Sequence, residues 1–279
     1  MYDNIIDGLY ASKTLKDNIK KEISKRKISP RLVVIQIGDD SASSIYIRNK
    51  EKACRYVGID FKHIKFDKSI SMNIVIDEIK KLNNDDTVSG ILVQLPLPKN
   101  FDEGKIINSI SPIKDVDGLT YQNVGSLVLG NDGLVSCTPY AVMELLRMYN
   151  VKLEGKNVCL IGRSNLVGRP LIQLLLRENA TVSILHSKSK NIKDYTKKAD
   201  ILIVAAGHPS LVTKDMVKKG VIVIDVGINK ENNVLCGDVD FENVKKKASL
   251  ITPVPGGVGP MTVASLLKNT LKAYNIQNK

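Results

Sequence analysis

The sequence is short of the residues that build metal centres and disulfide frameworks. It has four cysteines, Cys54, Cys137, Cys159 and Cys236, far apart, and three histidines, His63, His186 and His208. There is no Cys-x-x-Cys and no His-x-x-x-His spacing, so neither a metal site nor a disulfide scaffold is expected. With so few histidines, no Ser-His-Asp constellation can be assembled. No apolar run approaches the roughly 20 residues of a membrane span. The N-terminal stretch "MYDNIIDGLYASKTLKDNIKKEI" lacks the basic-then-apolar layout of a secretory signal. These absences point to a cytoplasmic protein with no bound metal and no membrane partner.

The charge is unbalanced. A formal net charge of +12 favours anionic ligands. The lysines are scattered, however, as in "IKKEISKRK" and "VKKKA", where they suit the polar faces of helices. No basic stretch is interleaved with aromatics as a single-strand binder would require. Nucleic acid is therefore not the expected partner, and the charge counts as a bias toward small anions. Hydrophobic content of 43% and charged content of 25% are those of an ordinary globular chain.

Strand and helix patterns alternate, which predicts a mostly parallel sheet covered by helices. Residues 9 to 26 read as a helix, and "PRLVVIQIG" as a buried strand closed by Gly38. "SSIYIRNKEKACRYVG" reads as a helix that a serine caps and Gly58 ends. "IDFKHIKFD" alternates like a strand, "SMNIVIDEIKKLNND" is helical, and "VSGILVQLPLP" is a strand that breaks into prolines. "CTPYAVMELLRMYN" opens a further helix with Thr138 as expected N-cap and Pro139 in the first turn. A second alternating block follows: "KNVCLIG", "GRPLIQLLLREN", "ATVSILH", "ADILIVAAG" and "GVIVIDVG". A last helix, "GPMTVASLLKNTLKAYNIQ", is opened by Pro260. The expectation is an α/β fold of two lobes meeting near residues 138 to 150, with a cleft between them, the last helix returning to the first lobe.

"VCLIGRSNLVGRPLIQLLL" is strand, glycine turn and helix, the context of a dinucleotide fingerprint. The spacing departs from G-x-G-x-x-G. Gly162 is in place, Ser164 replaces the second glycine, and Gly168 comes one residue late. The physical logic survives: close backbone approach to phosphate at a helix N-terminus. The next strand ends in His186, Ser187 and Lys188 where an NAD binder places an acid. An acid would repel a 2′-phosphate, whereas these groups and Arg163 attract it. NADP is thus expected over NAD. "AAGHPSLV" and "DVGIN" fall at the carboxyl ends of their strands, where ligands bind in open α/β sheets.

Three spots in the first half combine polar groups with chain breaks. Tyr46 and Lys50, four apart on a helix, share a face. Gln94 closes an apolar strand just before two prolines and needs partners if buried. "DVDG", residues 115 to 118, places Asp117 before a glycine. Each has an ordinary explanation when taken singly: helix surface, strand end, turn. "TPVPGGVGPMT" adds three glycines and three prolines ahead of the last helix, a loop stiff at some points and open to close approach at others.

Taken in order, "YIRNKEKA", "GILVQLPLP", "DVDGL", "CTPYAVMELL", "VCLIGRSNLVGRP", "DVGIN", "GDVDF" and "PVPGGVGPMT" resemble the bifunctional methylenetetrahydrofolate dehydrogenase/cyclohydrolase family through nearly the whole chain. The resemblance implies oxidation of 5,10-methylenetetrahydrofolate by NADP+ to the methenyl form, then hydrolysis to 10-formyltetrahydrofolate. It implies that Tyr46 lies against the folate, that Lys50 is the key catalytic residue positioned by Gln94, and that Asp117 holds the donor edge of the pterin. Pro255, Gly256 and Gly257 would line the substrate site. Gly162, Arg163, Ser164, Val167, Gly168, His186, Ser187 and Ile228 would bind the cofactor. On this basis residues 1–138 with 261–279 are the expected folate and catalytic domain, and 139–260 the Rossmann-type NADP-binding domain. A homodimer through the second domain is implied as well. One position departs: where the family often has lysine after the early "DG", this chain has Leu9.

Three other readings compete. A short-chain dehydrogenase would use Tyr46 as its acid, but its glycine turn should precede the Tyr-x-x-x-Lys pair, and here it follows. Another two-lobe NADP-dependent dehydrogenase, of shikimate-like layout, leaves "VQLPLP" and "PGGVGPMT" without explanation. A noncatalytic nucleotide- or RNA-binding protein would use the net charge and bind in a salt-dependent way. A member of the resembled family that keeps only one of the two activities is a further alternative.

Overall fold

Every strand pairing in the two main sheets is parallel. The computed structural model describes residues 4–231 and 234–278. The chain divides into two compact units. One comprises Lys13–Cys137 and the chain from Val263 onward; the other comprises the chain up to Ser12 and Thr138–Thr262.

The Lys13–Cys137 unit opens on most of helix α1 (Gly8–Ile23) and continues through β1 (Arg31–Ile37), α2 (Ser41–Val57), β2 (Asp60–Phe66), α3 (Met72–Asn83), β3 (Gly90–Val93), α4 (Glu103–Ile107) and α5 (Tyr121–Val128). Its three strands lie in the order β2-β1-β3. The central strand is buried on both faces: on one, Val33, Ile35 and Ile37 pack with Val75, Ile79 and Leu82 of α3 and with Ile91 and Val93 of β3, and on the other Leu32 and Val34 are fully buried. Such near-continuous apolar strands are what a parallel sheet demands.

The second unit contains most of α6 (Cys137–Met148), then β4 (Asn157–Ile161), α7 (Gly168–Arg177), β5 (Thr181–Leu185), α8 (Ile192–Thr196), β6 (Ile201–Val204), β7 (Ile222–Asp225), β8 (Asn229–Glu231), β9 (Val234–Cys236), α9 (Phe241–Val244), β10 (Leu250–Ile251) and the start of α10 (Val258–Gln277). Its five-stranded sheet runs β10-β7-β6-β4-β5. The order reverses between β4 and β6, the topological switch point at which open α/β sheets bind ligands beyond the strand carboxyl ends. β5 is the edge strand and only one of its five residues is buried. This is a Rossmann-type fold.

The described residues up to Ser12 group with Thr138–Thr262 rather than with the unit that holds residues 13–137. Ile6 donates to the Ile251 carbonyl at 2.8 Å and Gly8 to that of Gly256 at 2.9 Å, so the N-terminal segment adds to the β10 side of the five-stranded sheet. Gly8 is needed there, since a Cβ would sit 1.7 Å from the Gly257 oxygen.

Candidate active site

In the first unit α2 sets out Tyr46 and Lys50. The expected serine cap is not the one observed: Asp40 accepts from the Ser43 amide and caps the helix, and Gly58 ends it in the left-handed region at φ 89°. Asp40 and the serines after it are all capping types, and the path of the chain leaving β1 selects among them. Tyr46 is 50% exposed. Lys50 is half-buried, and its Nζ donates to Gln94 Oε1 at 2.7 Å. Gln94 follows β3 and uses its other end: Nε2 donates to the Leu95 carbonyl at 2.7 Å. Those two bonds fix the amide orientation, because only Oε1 can accept from an ammonium.

Asp117 sits in a turn closed by the Gly118 amide on the Asp115 carbonyl at 3.0 Å. Gly118 has φ 64°, and a Cβ there would meet the Val135 carbonyl carbon at 2.6 Å. The two acids flanking Val116 divide their work. Asp115 accepts from the Thr120 amide at 2.8 Å and from Asn123 Nδ2 at 2.9 Å, which holds the loop. The Cys137 thiol donates to the Val116 carbonyl at 3.5 Å, and the Cys137 amide donates to Asp117. This bond explains why α6 starts at Cys137 rather than after a Thr138 cap: an acid from a distant loop satisfies the orphan amide and complements the helix dipole. Asn269 of α10 ties the same region, its Nδ2 donating to the Val116 and Val135 carbonyls, both at 2.8 Å.

Burial sets the protonation chemistry. It pulls Lys50 below the ordinary 10.5, against the attraction of Asp117 and the neighbouring thiols. It pushes Asp117 above its ordinary 3.8, and Lys50 and Cys137 oppose that shift. Cys54, one turn beyond Lys50, is pushed up to about 12, again by burial, so it is a neutral wall. Each shift is a desolvation effect. The arrangement offers a lysine that can surrender its proton and a carboxyl able to accept paired N–H donors.

In the second unit the candidate cofactor residues cluster at the carboxyl ends of the strands. Gly162 follows β4 with φ 130°, and a Cβ on it would meet the Ala205 oxygen after β6 at 2.3 Å. A Cβ on Gly168 would meet the Gly162 oxygen at 2.5 Å. The turn is thus as tight as glycine permits. Arg163 and Ser164 are exposed and Val167 is half-buried; Ser164 Oγ accepts from the Val167 amide at 3.2 Å. His186 and Ser187 follow β5. His186 donates its amide to Ser189 Oγ at 3.0 Å, and its Nδ1 accepts from the Lys188 amide at 3.2 Å. Ile228, after β7, is 55% exposed. Pro255 is exposed, Gly256 half-buried and Gly257 buried, in this unit and against Gly8. An exposed basic turn opening a helix of 10 residues, with no acid at the end of β5, fits a phosphorylated dinucleotide.

Residues 6–117 match the catalytic domain of tetrahydrofolate dehydrogenase/cyclohydrolase, and residues 136–278 match its NAD(P)-binding domain. The chain belongs to the tetrahydrofolate dehydrogenase/cyclohydrolase family. It is 50% identical to the bifunctional protein FolD of Agathobacter rectalis, over 97% of this chain and 98% of that one. The crystal structure of the bifunctional FolD enzyme of Campylobacter jejuni superposes with a TM-score of 0.95 at 48% identity, covering 98% of each chain. The Trypanosoma brucei FolD, crystallised with NADP cofactor and an inhibitor, superposes with a TM-score of 0.93 at 36% identity, covering 99% of this chain and 98% of that one.

Sequence reasoning missed several groups around the family's motifs. Cys137, Cys54 and Asn269 surround Asp117 or Lys50, yet nothing in their spacing marks them. Asp225 and Asp238 lie inside "DVGIN" and "GDVDF", segments used for the resemblance but given no carboxylate role.

Proposed function

We infer that this chain is a bifunctional folate enzyme that oxidises 5,10-methylenetetrahydrofolate with NADP+ and hydrolyses the methenyl product to 10-formyltetrahydrofolate. The observation that carries the reading is Lys50, half-buried and held by Gln94 at 2.7 Å, in a chain of this family. The nicotinamide, when bound, supplies the hydride acceptor. The residues of this chain do the rest. Asp117 accepts the paired N–H groups of the aminopyrimidinone and fixes the pterin. Tyr46 offers an exposed ring as a wall beside the folate. Hydrolysis needs a water to lose a proton, and a lysine serves only if its ammonium is destabilised. Burial already lowers Lys50, and the cationic methenyl substrate adds repulsion in the same direction. Gln94 Oε1 holds Nζ while that proton moves.

The cofactor reading favours NADP, through Arg163 in the turn and His186, Ser187 and Lys188 beyond β5, all without a competing acid. In this reading the Lys13–Cys137 unit takes the folate and the Thr138–Thr262 unit takes the cofactor. A homodimer through the NAD(P)-binding unit agrees with the exposed edge strand β5, where Ile184 is 40% exposed. We place the enzyme in the cytoplasm, where the free thiols of its four cysteines stay reduced. No described helix is long and apolar enough to cross a membrane.

One assay tests the reading. Methylenetetrahydrofolate is added with NADP+ or NAD+, and methenyl absorbance is followed. The expected trace rises with NADP+, rises far less with NAD+, and then decays to the 10-formyl product faster than the uncatalysed rate. No methenyl formation with either cofactor would overturn it.

A further inference from the structure

Two carboxylates lie buried among the loops at the carboxyl ends of the five-stranded sheet. Asp238 is 0% exposed and Asp225 3%. Asp238 Oδ2 accepts from the amides of Ala206 at 2.7 Å and Gly207 at 2.9 Å; Oδ1 accepts from the His208 amide and from Asn229 Nδ2, both at 2.8 Å. Three consecutive amides of the loop after β6 thus converge on one side chain. Asp225 repeats the arrangement one layer back. It accepts from the amides of Gly227 at 2.9 Å, Asp238 at 3.0 Å and Val239 at 2.9 Å. Its own amide donates to Thr252 Oγ1 at 2.7 Å. Carboxylates are the strongest acceptors a protein has for backbone amides, and here two of them tie the loops after β6 and β7 to residues 237–239. The packing leaves no slack. A Cβ on Gly227 would lie 2.3 Å from Asp238, and one on Gly237 would lie 1.9 Å from Asp225.

The loop that Asp238 holds is the wall of the glycine turn. Ala205, one residue before the first amide held, presents the oxygen 2.3 Å from where a Cβ of Gly162 would be. Asn229, held at Oδ1, follows Ile228. Asp238 therefore stands behind both the turn of β4 and the residue assigned to the cofactor after β7.

We propose that Asp238 is a positioning residue for the pyridine nucleotide, setting the Ala206–His208 backbone and Ile228 against which the cofactor seats. The proposal rests on the dehydrogenase reading above. A purely structural role would lower both activities together through loss of folded protein. A positioning role separates them, because methenyl hydrolysis needs no cofactor.

The test is Asp238→Asn in the full chain. It keeps the shape and turns an amide acceptor into a donor. The measurements are the NADPH Kd from cofactor fluorescence, the KM for NADP+, methenyl hydrolysis without cofactor, the Tm, and hydrogen exchange of residues 206–208. The expected result is a Kd and KM raised about tenfold or more, faster exchange at 206–208, and hydrolysis per folded molecule unchanged. An unchanged NADPH Kd overturns the proposal, and so does an equal fall in both activities. If the variant does not fold, Asn229→Ala decides. It removes one of the four bonds, and the expected result is a Kd raised about threefold with hydrolysis intact; an unchanged Kd overturns the proposal there too. A wild-type protein that binds no NADPH refutes the dehydrogenase reading instead, so the two failures are distinguishable.

Discussion

In the unit that carries Lys50, the candidate functional groups are side chains: an ammonium on Gln94, a carboxyl on Cys137, a tyrosine ring. In the NAD(P)-binding unit most are backbone: the glycine turn and the start of α7, with the 206–208 loop held behind them by Asp238. The difference follows from the tasks. Moving protons needs groups whose charge can change, so the first unit half-buries a lysine and an acid and shifts both toward neutrality. Holding a pyrophosphate needs fixed dipoles at close range, so the second unit removes side chains and presents N–H groups. A substitution in the first unit should therefore strike chemistry, and one in the second should strike binding.

The largest expected effect is Lys50→Met. Methenyl hydrolysis should fall by about 10²–10⁴-fold, the usual contribution of a general acid–base group, while NADPH binding stays at the wild-type value. Retention of full hydrolysis would break the contrast outright. In the wild type, burial holds Lys50 below 10.5, so hydrolysis should rise with pH along a limb whose midpoint lies below that value. The same shift links to stability. The folded state binds fewer protons at this site than the unfolded chain between the shifted value and 10.5, so its contribution to stability increases with pH across that window.

Gly162→Ala comes next. At φ 130° and 2.3 Å from the Ala205 oxygen, a methyl group forces the turn to move, and the backbone strain alone is about 1–3 kcal/mol. Dehydrogenase activity should drop through a KM for NADP+ raised roughly tenfold or more, with hydrolysis retained. A parallel loss of both activities would show that the two units do not divide the work in this way. The smallest effect expected is that of Arg163→Ala. Loss of an exposed charge contact worth about 0.2–1 kcal/mol should weaken NADP and leave NAD binding nearly unchanged. Equal losses for the two cofactors would remove Arg163 from 2′-phosphate recognition.

Local codes were legible wherever the physics is local. The glycine turn between β4 and α7 was readable because strand, φ-positive glycine and helix start are contiguous. Tyr46 and Lys50 were readable as one helix face. The cap of α2 was not, because Asp40 competes with several serines and only the exit of β1 chooses. Nor was the start of α6, since its capping acid, Asp117, comes from another loop.

By itself, then, the sequence determined two alternating α/β blocks, a nucleotide turn without an acid beyond it, and an ordered set of motifs specific enough to indicate the family. Side-chain period, glycine and proline are short-range properties and survive in a string of letters. Tertiary structure alone decided that Lys50 meets Gln94, 44 residues away, that Asp117 caps the helix that starts at Cys137, that residues 4–6 join the five-stranded sheet, and that Asp238 gathers the amides of residues 206–208. Those contacts depend on how packed elements bring distant loops together, and a desolvated charge or a satisfied amide exists only once that packing has excluded water.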